Sequence, residues 1–92
     1  EGAEPAARLG ALEGYASCAE LSGELDEAAR AWREVCDLLL AAPGAAERLG
    51  DARRRLAGVH DLRGDRESAV AARGAAAEAY ASAGCPADAA VE

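Results

Sequence analysis

A chain of 92 residues makes one domain at most, near the lower end of what folds alone. Its 27 alanines and ten leucines, with no Ile, Phe, Met or Lys, favour helix and leave little for strands. A net charge of −7 excludes the basic face that nucleic acid or an anionic membrane requires, and no apolar run approaches the roughly 18 residues that span a bilayer.

Residues 1–4 read as a frayed end, after which Pro5 can open a helix. Leu9, Leu12, Tyr15, Ala16 and Ala19 recur at steps of three and four, one face of an amphipathic helix. Gly23 supplies the left-handed residue that ends it. A second helix is expected over about 24–42, with Leu25, Ala28, Trp32, Val35 and Leu39 on its apolar face. Glu24, Asp26 and Glu27 at its start complement the helix dipole. Ala42-Pro43-Gly44 breaks the pattern.

The third helix is expected over about 45–63, with Leu49, Ala52, Leu56, Val59 and Leu62 facing inward. Gly64 ends it, and Asp65 is an N-cap for a fourth helix over about 66–83. That helix has a thin face of Val70, Ala76, Ala77 and Tyr80, and Gly74 weakens it. Gly84-Cys85-Pro86 stops it, and residues 86–92 would begin a fifth. Short connections make neighbouring helices antiparallel. The expected architecture is all-α: helical hairpins in a single domain, with repeat one about 5–42, repeat two about 45–83 and a partial third pair from 86.

An alanine-rich core stabilises weakly, since burial contributes roughly 25 cal/mol per Å² of apolar surface. The three cysteines, Cys18, Cys36 and Cys85, form no CxxC pair, and their odd number suits a reducing cytoplasm. Cys18 and Cys36 would be offset by roughly 12 Å along paired helices, beyond the about 7 Å that a disulfide spans. With no signal peptide and no initiator Met, the chain is expected to be a segment of a longer cytoplasmic protein.

Aligning Gly23 with Gly64 exposes an internal repeat of 41 residues. Leucine stands two residues before each glycine (Leu21, Leu62), an acid follows it (Glu24, Asp65), and alanine lies five after it (Ala28, Ala69). This pattern resembles the tetratricopeptide repeat. Ala16 and Ala57 occupy that family's small position, Tyr15 and Leu56 the large apolar one before it, and Ala19 and His60 the first-helix aromatic one. Ala28 and Ala69 match its second-helix alanine, Trp32 its second-helix aromatic, and Val35 and Ala76 the next small apolar site. The period exceeds the family's usual length of about 34 residues, Arg73 replaces the second aromatic, and the proline after the second helix is displaced to Pro43. Longer, degenerate repeats of this kind are similar to the helical arrays of large bacterial signalling ATPases and LuxR-type transcriptional regulators. The resemblance therefore implies a right-handed superhelix serving protein–protein interaction or interdomain coupling. The chain has no GxxxxGK phosphate loop of its own.

Little points to chemistry. Catalysis by Cys and His needs the pair adjacent with a third group to orient the base, and nothing about His60, Cys18, Cys36 and Cys85 promises that. No zinc-ligand spacing or calcium loop occurs, so neither metal nor cofactor is expected. Arg53-Arg54-Arg55 is the only basic run, and successive helical residues splay too widely to form one patch. Glu47 and Asp51 lie at intrahelical pairing distance from it. Trp32 belongs to the apolar stripe and is expected in the core.

The remaining candidate is a groove formed by the first helix of each hairpin. By resemblance, its residues would be Glu13, Ser17 and Glu20 from repeat one and Arg54, Gly58 and Asp61 from repeat two. That mainly acidic surface would take a basic or mixed-charge peptide or a neighbouring domain of the parent chain. The competing expectation is a structural bundle that self-associates, as a homodimer for example, through alanine-rich faces at Ala72, Ala76 and Ala83.

Overall fold

The computed structural model describes residues 5–42 and 44–84. Pro43, Cys85 and the expected start of a fifth helix lie outside these. The fold is all-α: α1 (Pro5–Ser22), α2 (Leu25–Ala41), α3 (Ala46–Arg63) and α4 (Arg66–Ser82). Each helix packs against the next, most extensively α3 against α4. The result is a flat body of 38 × 32 × 16 Å.

The two hairpin turns are copies of each other. Gly23 and Gly64 adopt φ of +81° and +82°, a region that costs glycine nothing. Gly23 N donates to Glu20 O at 3.1 Å and Glu24 N to Ala19 O at 2.9 Å. In the second turn, Gly64 N donates to Asp61 O at 3.0 Å and Asp65 N to His60 O at 2.9 Å. Both are Schellman caps, which satisfy the last carbonyls of α1 and α3. The helix starts differ. Asp65 caps α4 by accepting from Ser68 N at 3.1 Å, and those bonds hold its carboxyl below the usual range. Glu24 makes no such side-chain bond.

Small residues dominate the core. Ala16, Ala28, Val35, Ala57, Val59 and Ala69 are fully buried, with Leu39 and Tyr80 the largest hidden side chains. Gly50 permits the close α3–α4 approach. A Cβ built there would stand 2.8 Å from the Tyr80 ring.

Three residues expected to face inward do not. Tyr15, Leu62 and Val70 are 52%, 67% and 61% exposed. Tyr15 stands at the exposed rim of the α1–α2 contact, where its hydroxyl donates to Glu27 at 3.0 Å, and Val70 lies on a face of α4 that no further helix covers among the described residues. Leu62 sits in the last turn of α3, as its repeat counterpart Leu21, also exposed, sits in that of α1. The alanine-rich face expected on α4 is not one surface, because Ala76 is buried while Ala83 is exposed.

Candidate interaction cleft

α2 packs on both α1 and α3, which sets those two helices side by side. Between them lies an open cleft of about 640 Å³. Glu13 and Ser17 of α1 form one wall, and Arg48, Asp51, Arg54 and Arg55 of α3 form the other. Trp32 of α2 and Ala52 complete the lining. Trp32 is thus both core, at 4% exposed, and cleft floor.

Polar contacts lace the walls together. Arg48 donates to Glu13 at 3.0 Å. Arg55 donates to Glu20 at 3.2 Å and to Ser17 at 3.4 Å, and its guanidinium lies 4.9 Å from the Trp32 ring centroid. The indole Nε1 of Trp32 also donates to Glu20, at 3.2 Å. At the far wall, Arg54 lies 6.0 Å from the Tyr80 ring centroid, and the Tyr80 hydroxyl donates to Asp51. Burial and that carboxylate raise the Tyr80 pKa. Exposed ion pairs of this sort contribute about 0–1 kcal/mol each, so they shape the cleft more than they stabilise the fold.

Glu13, Ser17 and Arg54 therefore line the cleft as the sequence suggests. Glu20 adjoins it through Trp32 and Arg55. Gly58 and Asp61 do not line it. Asp61 points into the second hairpin, where Arg73 of α4 donates to it. Arg48, Asp51 and Arg55 are lining positions the sequence reading missed. The arginine run divides, with Arg53 turned away to donate to Ala75 O at 3.0 Å while Arg54 and Arg55 face the cleft. The lining thus mixes three cations with two anions and is not mainly acidic.

Among the described residues, two thiols and the imidazole are dispersed over three helices. Cys18 is an exposed free thiol on α1 and Cys36 a buried one on α2. Burial pushes the Cys36 thiol up to about 11. His60 is buried on α3, with Nδ1 3.1 Å from the Arg63 guanidinium. Since that guanidinium only donates, Nδ1 accepts and the ring is neutral. Burial, then the charge of Arg63, lowers its pKa. Among the described residues, no three His, Cys, Asp or Glu gather to hold a metal ion, and no helix is long and apolar enough to cross a membrane. Comparison with protein-family models, with curated proteins and with solved structures gives no match.

Proposed function

We propose that the chain is a protein–protein interaction module, a tetratricopeptide-like segment of a larger cytoplasmic regulator of the LuxR type, and not an enzyme. The observation that carries this reading is the cleft between α1 and α3. It is open, floored by an indole and walled by side chains of both signs. Such a surface suits an extended peptide of mixed charge, whose acids would meet Arg48 and Arg54 and whose bases would meet Glu13 and Asp51. The duplicated turns support the repeat reading, since a cleft between equivalent helices is what stacked hairpins create. In the parent protein, the guest would be a partner segment or a neighbouring domain.

The test is selection from a displayed library of mixed-charge peptides. Binders should be recovered with the wild-type chain and lost with Arg48→Glu/Arg54→Glu, both exposed and both replaceable without loss of helix signal. Recovery of no binder, or of binders indifferent to that pair of changes, contradicts the reading.

A further inference from the structure

Arg55 belongs to the second hairpin, yet its guanidinium is held by the first. It lies 4.9 Å from the Trp32 ring centroid, donates to Glu20 at 3.2 Å and reaches the Ser17 hydroxyl at 3.4 Å. An aromatic face, a carboxylate and a hydroxyl around one planar cation are the parts of a guanidinium-binding site. The host groups are fixed more firmly than the occupant. Glu20 is 21% exposed and also accepts from the buried indole, whereas the Arg55 side chain is 52% exposed. Exposed ion pairs and exposed cation–aromatic contacts are both weak, so this occupant is exchangeable. The second hairpin fills the equivalent place from within. There Asp61 stands for Glu20 and Arg73 for Trp32, and Arg73 donates to Asp61. Both repeats therefore hold an arginine on this acid, but only the first pairs the acid with an aromatic face and takes its arginine from another hairpin.

We propose that Trp32, Glu20 and Ser17 form an arginine-binding subsite of the cleft, that Arg55 is its resident occupant, and that an arginine side chain of the guest takes Arg55's place. The subsite rests on the reading of the cleft as a peptide site and gives that peptide its anchor. Arginine suits it better than lysine, because a flat fork can lie on the indole and still bridge two acceptors. The net charge of −7 draws such a cation in.

The test uses the full chain and acetyl-arginine methylamide, with the uncharged citrulline compound as its isostere. The Trp32 indole NMR signal is the readout. Arg55→Ala should bind the arginine compound saturably and about tenfold more tightly than the wild type, which must first release Arg55. The citrulline compound should not bind. Adding Glu20→Gln should abolish binding while the helix signal stays unchanged, and Arg48→Glu/Arg54→Glu should not weaken it. A chain that takes the arginine compound but no library peptide keeps the subsite and loses the peptide reading. Peptides that bind equally well with citrulline for arginine keep the cleft and overturn the subsite. Equal affinity of wild type and Arg55→Ala, no saturable shift in a folded Arg55→Ala chain, or binding that survives Glu20→Gln also overturns it.

Discussion

Trp32 and Glu20 are joined across the first hairpin by an indole hydrogen bond of 3.2 Å, and the second hairpin repeats the pairing with different chemistry. Forty-one residues further on, Arg73 stands in place of Trp32 and Asp61 in place of Glu20, and Arg73 donates to Asp61. A cation has replaced an indole while the donor and the acid keep their places. Arg73 is therefore a substitution within the repeat pattern and leaves the pairing intact.

Trp32 and Leu56 belong to one buried cluster that spans both repeats. Large-to-small changes at such sites cost about 3–5 kcal/mol for Trp and 2–5 for Leu, comparable with the whole stability of a small domain. Trp32→Ala/Leu56→Ala should abolish cooperative urea unfolding followed by circular dichroism. A retained sigmoidal transition would show that the two repeats do not share a core.

Gly50→Ala should destabilise the protein although alanine is the better helix former. The propensity gain is about 1 kcal/mol, but the new methyl meets a buried aromatic ring, and overpacking costs about 1–3 kcal/mol. Gly58→Ala makes the control, since a Cβ there meets nothing within 4 Å. Urea midpoints of the two variants should move in opposite directions.

Arg55→Ala should cost about 1 kcal/mol and Arg48→Ala about half of that. Arg55 pairs with Glu20, reaches Ser17 and covers the Trp32 ring, whereas Arg48 pairs with Glu13 at an exposed rim. Raising the salt concentration should shrink the Arg48 effect most. Thermal or urea unfolding in low and high salt measures both.

His60 gives the fold an acid sensitivity. Its pKa is lowered on folding from 6.5, so the unfolded chain takes up a proton first as pH falls. Stability conferred by the neutral ring is full above about 6.5 and falls as pH drops from there to the folded pKa. The Arg63 and Arg33 charges act in the same sense as burial, and Asp65 and Asp61 oppose them. His60→Gln should flatten the urea midpoint across this window. Asp65 has a lowered pKa too, so its contribution persists until pH falls below the ordinary carboxylate range.

Local signals in the sequence carried most of the fold. The helix ends fell within a residue or two of the glycines and of Asp65, because turn and cap geometry depends on neighbours in the chain. What the sequence hid was long-range. Tyr15 and Val70 have the helical spacing of core residues, but spacing does not say whether another helix covers that face. Arg55 stood in a basic run with Glu47 and Asp51 at intrahelical pairing distance, and no local signal singled out Arg48. Their partners Glu13 and Glu20 lie 35 residues away on another helix and come near only once the hairpins stack. Gly58 and Asp61 were placed in the groove by resemblance to the tetratricopeptide repeat, whereas Arg73 draws Asp61 into the second hairpin.

The reading of the cleft as a peptide site meets its most direct test in amide and indole NMR spectra recorded while a selected mixed-charge peptide is titrated in. Trp32 is the only tryptophan, so its indole signal reports the cleft floor without ambiguity. The account predicts saturable shifts of that signal and of the amides of Glu13, Ser17, Arg48 and Arg54. Binding that leaves the indole and those amides unmoved, while shifting residues elsewhere, would contradict it.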